Sequence, residues 1–405
     1  MKICIIGGGL TGLAAAHRLA GSHEVDLVEK RDHLGGCLAS YEQERYWIEK
    51  FYHHCFVGDV ALLALIHELG IQDRLEWLKG TSGYYVEGGI YPLNTPLQIA
   101  RYPYLTLAEK YRLAMLTFRA KKLPVEELDG VRARDYVIDT LGEGIYRSFF
   151  EPLLRSKFGE RSGDVSAAWL VSRIAIRSHR GLSGERLGYI RGGFQVLVDA
   201  LGDHIGKHAT LRLNDPVTSV GRTGDEWTVN GRRYDRVIST IPPQELARIS
   251  GKPLAPVPYQ GAACLTLALD RDVTNGVYWL NMRDPAPYGA VISHTNFVPL
   301  ERYGEHLVYL ASYFTGELPA RQDQLMLEDF CKRFGVREEE IRWHRMAVEP
   351  FAGPLYTTGY RERVPDYAQD GLFIAGMFSR PNYPERSMEG SLHAGYEAAE
   401  LAGRM

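Results

Sequence analysis

The sequence has few cysteines, and none of them is spaced to bind a metal. The 405 residues contain five cysteines, an odd number, and no two of them form a C-x-x-C pair. This excludes a disulfide-rich secreted scaffold and a zinc ribbon. The five are Cys4, Cys37, Cys55, Cys264 and Cys331. We therefore expect reduced thiols in a cytoplasmic protein without a metal site.

An excess of charge of one sign and long apolar runs are also absent. Lys and Arg number 47 against 50 Asp and Glu, and the formal net charge is -3. A protein that binds a phosphate backbone carries a basic patch, so we expect no nucleic acid partner. No apolar run reaches about 18 residues, so we expect no transmembrane helix. The chain begins on an apolar strand pattern, which leaves no room for a secretory signal.

The composition that remains is that of a folded globular protein. Hydrophobic residues make up 45% of the chain and charged residues 24%, and the sequence shows no internal repeat or low-complexity stretch. At this length the chain is expected to form two domains, or one large domain with an insertion.

A glycine motif follows the first apolar run. Lys2 to Ile6 predict a buried strand, and the helix-forming run from Leu13 to Ala20 comes soon after it. Between them stands G-x-G-x-x-G, at Gly7, Gly9 and Gly12, with Leu10 and Thr11 before the last glycine. This strand, turn and helix predict a dinucleotide site in which the helix N-terminus faces the pyrophosphate.

An acidic residue supports this interpretation. The second strand pattern, from Glu24, ends at Glu29, about 20 residues beyond the first glycine, where a carboxylate binds the ribose hydroxyls of a dinucleotide. The alternative is a glycine-rich turn with a coincidental surface glutamate. The order strand, helix, strand and acid favours the nucleotide site.

A second glycine pair, Gly35 and Gly36, follows Glu29. With it the chain resembles the flavoprotein superfamily of amine oxidases, protoporphyrinogen oxidases and phytoene desaturases. The resemblance implies FAD as the cofactor, with contacts from Lys30, the glycine pair and Cys37. Many members carry arginine where this chain has Cys37, so that phosphate contact is in doubt.

Two later blocks extend the resemblance over nearly the whole chain. The segment from Tyr189 to Pro242 is similar to the return of such chains to the FAD domain, which implies cofactor contacts at Val217 and Thr240. The segment from Gly371 to Ala399 is similar to their closing motif, in which the last helix points its N-terminus at the flavin. The contacts it implies are Gly376, Met377, Met388, Glu389 and Ser391. Many relatives have aspartate in place of Met377.

The resemblance implies an α/β fold. We expect a Rossmann-like FAD-binding domain with a three-layer β/β/α architecture, interleaved with an α+β substrate domain. The expected FAD-binding parts are 1–56, 188–250 and 341–405. The expected substrate-domain parts are a helical segment over 57–187 and a β-rich segment over 251–340.

Histidines and arginines are the candidates for chemistry. In such flavoproteins the segment beyond the glycine pair passes the flavin ring, which makes His53 and His54 candidate catalytic residues. Arg380 and Arg386 precede the final helix, where a guanidinium would bind an anionic substrate or stabilise flavin charge. A structural histidine and an ordinary surface ion pair are the alternatives. Basic residues near apolar ones also occur from Pro152 to Gly159 and from Arg173 to Arg180.

The partners are less defined. The stretch from Ile99 to Lys122 mixes basic, aromatic and aliphatic residues. It predicts either a helix packed on the core or a surface that contacts the inner face of a membrane peripherally and admits a lipid-like substrate. The oligomeric state stays open.

Three functions remain from this reading of the sequence. The first is an oxidoreductase in which FAD accepts a hydride from a C-N or C-C bond of a small-molecule substrate. The second is an isomerase resembling UDP-galactopyranose mutase. The third is a non-catalytic FAD-binding protein.

Overall fold

A computed structural model describes residues 1–177, 185–369 and 371–404. Arg180, at the end of one basic stretch, lies outside these residues. Across the described part of the chain, every helix is too short or too polar to cross a membrane.

The strands of the described residues form two large sheets and several small ones. They are β1 (Lys2–Ile6), β2 (Glu24–Val28), β3 (Ser40–Glu42), β4 (Trp47–Glu49), β5 (Leu75–Gly80), β6 (Ser82–Val86), β7 (Gly89–Pro92), β8 (Glu185–Ile190), β9 (Thr210–Arg212), β10 (Val220–Thr223), β11 (Glu226–Val229), β12 (Arg232–Tyr234), β13 (Arg236–Ser239), β14 (Tyr259–Leu269), β15 (Trp279–Met282), β16 (Ala290–Ser293), β17 (His306–Phe314), β18 (Ile341–Pro354), β19 (Ala368–Gln369) and β20 (Leu372–Ile374).

The helices lie between these strands. They are α1 (Leu10–Leu19), α2 (Val60–Glu68), α3 (Pro96–Arg101), α4 (Leu107–Arg119), α5 (Ala133–Leu141), α6 (Glu143–Ile145), α7 (Glu151–Phe158), α8 (Ala167–Arg177), α9 (Gln195–Gly206), α10 (Pro243–Ser250), α11 (Gln322–Phe334) and α12 (Met388–Gly403). Local sequence fixes several helix starts. At α4, for example, Thr106 Oγ1 accepts from the Glu109 N–H while the Glu109 side chain accepts from the Thr106 N–H.

The first large sheet has six strands in the order β19-β20-β13-β1-β2-β9, parallel except for β19. Successive side chains of β1 point to opposite faces. Ile3 and Ile5 pack with the helical layer of α1, α9 and α12, whereas Cys4 and Ile6 pack with β10–β12. The FAD-binding part thus has the expected three-layer β/β/α arrangement. A central strand such as β1 must be apolar on both faces in this arrangement, because it is covered on both sides.

The second large sheet has seven strands in the order β18-β14-β17-β16-β15-β6-β7. Its pairs are antiparallel except for β6 with β15. One face packs on α11, where Leu267 and Leu310 contact Met326 and Phe330. Residues on the other face line the cavity described below. The mixed α/β class follows the prediction.

Two expected segments differ from the structure. The region 57–187 is not purely helical, because β6 and β7 form the edge of the seven-stranded sheet and β5 pairs with β8. The region from 341 does not return at once to the FAD-binding part, since β18 pairs with β14 over most of its length. Both differences arise from strand pairing between residues far apart in sequence, which no local pattern reports.

Candidate cofactor and substrate site

One cavity of about 1590 Å³ connects the two large sheets. Its walls come from the glycine turn after β1, the segment 51–56, the start of α12, the seven-stranded sheet and helices α4, α7 and α8. Pockets for single small ligands usually measure roughly 300–1,000 Å³. The cavity is therefore large enough for a cofactor and a substrate together.

The glycine turn brings bare backbone to the cavity wall. A Cβ on Gly12 would lie 2.0 Å from the Gly7 carbonyl oxygen, so only glycine allows α1 to start so close to β1. A Cβ on Gly9 would meet no heavy atom of the described residues within 4 Å, because that position faces the cavity. Leu10 and Thr11 also line the cavity, and none of the described side chains caps the start of α1. These open N–H donors suit a pyrophosphate.

Glu29 lies on the same wall at the end of β2. One carboxylate oxygen accepts from the Gly8 N–H at 2.7 Å, and the other accepts from the Arg31 N–H at 2.9 Å. A carboxylate offers about four acceptor positions, so two remain for the hydroxyls of a ribose. The side chain is 9% exposed, and its residue lines the cavity.

The second glycine pair packs against the first. Gly35 has a φ of 108°, forms a bridge with Gly9 and donates its N–H to the Gly8 carbonyl at 2.8 Å. A Cβ on Gly36 would approach the Gly9 Cα to 3.1 Å. Both glycines line the cavity, as do Lys30 and Cys37. Burial raises the pKa of the Cys37 thiol to about 12, so it stays neutral and offers only a weak S–H donor.

The later blocks place most of their expected contact residues at the cavity. Val217 lines the cavity, and Thr240 donates its hydroxyl to the Ile6 carbonyl at 2.9 Å, which joins β13 to the glycine turn. Of the closing motif, Gly376, Met377, Met388 and Ser391 line the cavity. The first turn of α12 is capped by Ser387, whose hydroxyl accepts from the Gly390 N–H at 2.9 Å. The cavity thus receives residues from all three blocks.

Three predicted site residues, Glu389, Arg380 and Gly12, do not line the cavity. Glu389 does not line the cavity, because its carboxylate accepts from the N–H groups of Ala61 and Leu62 at 2.8 and 2.9 Å and so stabilises the start of α2. Arg380 is exposed and outside the cavity wall. Neither side chain thus lies on the cavity wall, where the sequence predicted a cofactor contact for Glu389 and a catalytic role for Arg380. Gly12 is also off the wall and acts through close packing of α1 on the turn.

Both candidate histidines line the cavity. His53 Nδ1 lies 2.6 Å from the Phe51 carbonyl oxygen, which can only accept, so Nδ1 is the donor. Burial lowers the pKa of His53 to about 4, which leaves the ring neutral near pH 7 with Nε2 as an acceptor. His54 Nδ1 lies 3.2 Å from the Tyr278 hydroxyl, and its ring meets Trp279 edge to face.

A group of charged residues on the opposite wall was not predicted from the sequence. Lys157, Arg173, Glu385 and Arg386 all line the cavity, and Lys157 Nζ lies 3.2 Å from Glu385 Oε1. Lys157 and Arg173 stand in the two basic stretches noted in the sequence. The sequence pattern could not predict that these residues meet, because Lys157 and its partner Glu385 are 228 positions apart in the chain.

The observed donor set fits FAD. Open helix N–H groups, a carboxylate with free acceptor positions and bare glycine backbone line one end of the cavity. On the wall nearer the seven-stranded sheet, Arg386 Nη1 is shielded from solvent and lacks a hydrogen-bond partner among the described residues. An unpaired buried donor of this kind is satisfied when a ligand fills the cavity.

Known proteins resemble this chain in sequence and in fold. Dog flavin-containing amine oxidase A is 26% identical over 285 residues, 63% of this chain and 52% of that protein. The chain thus spans about half the length of this curated relative. A crystal structure from Exiguobacterium, provisionally named a protoporphyrinogen oxidase, has a TM-score of 0.79 at 19% identity, covering 99% of this chain and 98% of that chain. The crystal structure of reduced UDP-galactopyranose mutase has a TM-score of 0.76 at 19% identity, covering 100% of this chain and 96% of that chain.

At such low identity the two structures show the fold alone. The sequence model of the flavin-containing amine oxidoreductases, in contrast, matches residues 10–402, which is nearly the whole chain. A match to an oxidoreductase family does not favour the mutase interpretation. The chain belongs to the family of flavin-containing amine oxidoreductases, which are FAD-dependent enzymes.

Proposed function

We propose that this protein oxidises an apolar small molecule, and that a hydride leaves a C-N or C-C bond of that substrate. The observation that carries the proposal is that one continuous cavity runs from the glycine turn to an apolar space beside the seven-stranded sheet. We call this space the substrate chamber. Its walls include Tyr84, Phe149, Leu153, Trp169 and Trp279.

Apolar side chains make up much of the chamber wall. Aromatic and aliphatic side chains from β6, β15, α7 and α8 surround it, and its floor is the inner face of the seven-stranded sheet. Trp169 is 1% exposed, and Trp279 stands at 90° to the Tyr52 ring with centroids 4.8 Å apart. Such packing holds an apolar substrate in one orientation and keeps solvent away from the reacting bond.

The residues at the other end of the cavity would hold the cofactor. We assign the glycine turn to the pyrophosphate, Glu29 to a ribose and the start of α12 to the flavin ring. When bound, FAD supplies the redox chemistry by taking two electrons and a proton from the substrate as a hydride. The N-terminus of α12 carries a partial positive charge, which favours the negative charge that the ring gains on reduction.

His53 is a candidate hydrogen-bond acceptor for the substrate. Its Nδ1–H is held by the Phe51 carbonyl, so Nε2 is the position that can accept a hydrogen bond or a proton from a substrate N–H or O–H. Because the pKa of His53 is about 4, the ring is a weak base that stays neutral at physiological pH. It therefore orients the substrate more effectively than it stores a proton.

The outer end of the cavity is apolar as well. Leu107, Tyr111 and Phe118 follow one stripe of α4, line the cavity and are 81%, 68% and 76% exposed. Exposed apolar residues beside a cavity favour a substrate of low solubility in water. We propose that this stripe guides the substrate inward, and peripheral contact with a membrane at this surface stays a prediction.

Anaerobic reduction tests the proposed function. The purified holoprotein is mixed without oxygen with panels of amines, porphyrinogens, polyenes and sugar nucleotides, and the visible absorbance of the flavin is followed. We expect bleaching by at least one apolar substrate, and recovery of the absorbance when air is admitted. Turnover of a sugar nucleotide only after reduction by dithionite, with no net electron transfer, would contradict the proposal and support a mutase.

A variant shows whether the bleaching depends on the chamber. Leu153→Glu places a carboxylate on the chamber wall and is expected to weaken substrate binding without removing FAD. Leu325→Glu is the matched control, because Leu325 lies on α11 and is 46% exposed. Equal bleaching rates in both variants would show that the substrate binds elsewhere.

A further inference from the structure

The charged group on the chamber wall points to one class of substrate. We propose that the substrate is an organic acid, whose carboxylate binds Lys157, Arg173 and Arg386 while its apolar body fills the chamber. This proposal rests on the proposed oxidation. This departs from the amine substrates for which the family is named.

Three separate elements bring these side chains together. Lys157 comes from α7, Arg173 from α8, and Arg386 from the segment that precedes α12. Lys157 Nζ and Arg173 Nη1 approach the same oxygen of Glu385, at 3.2 and 3.9 Å. The side chains of Lys157 and Glu385 are only 15% and 7% exposed. We call these four residues the cationic clamp.

The clamp carries more positive than negative charge. Glu385 is its single carboxylate, against one ammonium and two guanidinium groups, and Arg386 Nη1 has no hydrogen-bond partner among the described residues. Buried charges are stable only when they are paired. A carboxylate from a ligand would supply the missing negative charge and accept from the unpaired guanidinium nitrogen.

The surroundings of Lys157 also change its pKa. Burial lowers the pKa of Lys157 to about 7, against the opposing effect of Glu385 and with the support of Arg173 and Arg386. Its ammonium also lies 4.8 Å from the centre of the Trp169 ring, which fixes the side chain beside the apolar part of the chamber. An anion beside Lys157 would favour the protonated form again.

The cavity wall is poorly suited to a protonated amine. Five described carboxylates line it, of which three pair with a cationic side chain and two accept from backbone N–H groups. The contacts are Glu29 with backbone N–H groups, Asp59 with the Phe56 N–H, Glu245 with Arg248, Glu349 with Arg31, and Glu385 with Lys157. Among these five, Glu385 Oε2 alone is buried without a hydrogen-bond partner in the described residues, and Lys157 and Arg173 lie 3.2 and 3.9 Å from the other oxygen of the same carboxylate. An ammonium group there would meet net positive charge.

The outer cavity wall has the same sign. Lys110, Lys121 and Lys122 line it, whereas the charge of Arg248 is balanced by Glu245. Clustered charge of one sign at a cavity raises the local concentration of ligands of the opposite sign. The field at the outer wall and the clamp inside therefore select the same kind of molecule.

Three probes of the same shape separate the alternatives. The holoprotein is titrated with hydrocinnamate, hydrocinnamamide and phenylpropylamine, and binding is followed by the change in visible absorbance of the bound flavin and by calorimetry. At about pH 6, where Lys157 is protonated, we expect the carboxylate to bind at least tenfold more tightly than the amide, and the amine more weakly still. At about pH 9 the advantage of the carboxylate should shrink several-fold. Equal or tighter binding of the amide or the amine would overturn the proposal.

Variants locate the effect. Arg173→Gln and Lys157→Met should each weaken hydrocinnamate binding about tenfold, the cost of one charge-assisted hydrogen bond, and leave the amide within about twofold. Arg155→Gln is the control, since Arg155 lies on the same helix as Lys157 but is exposed and pairs with Glu151. If Lys157→Met fails to fold, Arg173→Gln with rescue by Arg173→Lys still decides the question.

The experiments distinguish an error in the proposed carboxylate site from an error in the proposed oxidation. Hydrocinnamate binding that depends on Arg173 supports the clamp even if no compound bleaches the flavin, in which case only the proposed oxidation falls. Bleaching by amines together with unchanged carboxylate binding in Arg173→Gln would overturn the clamp and leave the oxidation standing. Tight binding of UDP at the clamp in place of the carboxylate would overturn the proposal in favour of a diphosphate ligand.

Discussion

Replacement of Gly9 by alanine separates cofactor binding from folding. Gly9 has a φ of -75° and a ψ of 176°, which are ordinary extended values that alanine adopts without strain. Its added Cβ meets no described heavy atom within 4 Å. We therefore expect the free energy of unfolding of the apoprotein to change by no more than about 0.5 kcal/mol.

The effect on FAD should be much larger. If the pyrophosphate lies against the start of α1, the new methyl group displaces it and at least one charge-assisted hydrogen bond to backbone N–H is lost. Such a bond contributes about 1.5–3 kcal/mol, so the dissociation constant of FAD should rise roughly 10- to 150-fold. Through linkage, the rise in Tm that a fixed excess of FAD produces should fall accordingly.

Two further glycines provide the comparison. Gly21→Ala adds a Cβ at an exposed turn where no described atom lies within 4 Å, and should leave both Tm and FAD affinity unchanged. Gly12→Ala places a Cβ 2.0 Å from the Gly7 carbonyl and should destabilise the apoprotein itself. The assay is FAD titration by fluorescence quenching, with thermal unfolding of each apoprotein. An unchanged FAD dissociation constant in Gly9→Ala would refute the placement of the pyrophosphate at this turn.

Three other changes have definite expected outcomes. Glu389→Gln should lower the stability of the protein by about 0.5–2 kcal/mol, because it weakens the cap on α2, and should leave the FAD dissociation constant unchanged; thermal unfolding and FAD titration check this. Arg380→Ala should keep kcat/KM within about twofold of the parent, since the side chain is exposed outside the cavity; a larger loss in steady-state assays would contradict its placement. For His53 the folded pKa of about 4 lies below the ordinary 6.5, so between these values the unfolded chain binds more protons and stability rises with pH. His53→Gln should flatten that rise in urea unfolding measured across this window, and an identical slope in both proteins would show that His53 is not buried.

The sequence by itself determined the cofactor and the framework that holds it. The turn from Gly7 to Gly12 and the acid at Glu29 depend on short spacings, and a strand, a tight turn and a helix fix such geometry locally. The same holds for helices with local caps, such as α4. For these elements the residues that specify the structure are neighbours in the chain, so a pattern suffices.

The role of individual side chains was decided only by the tertiary structure. Glu389 stands inside the flavin motif, yet its carboxylate contacts α2, because the packing of α12 on α2 turns it away from the cavity. The strand β18 joins the seven-stranded sheet through pairing with β14, which no local propensity predicts. The sequence shows which residues are available, but which of them share a site depends on contacts between distant segments.

The cationic clamp shows the physical reason most directly. Lys157 and Glu385 are 228 positions apart and come from separate elements, so only the packing of α7 beside the start of α12 brings their charges to 3.2 Å. The lowered pKa of Lys157 follows from burial, which is a property of the whole fold and of no single stretch of sequence. Spacing along the chain therefore determined the glycine turn and the acidic residue beside it, and long-range packing decided which charged side chains share one cavity wall.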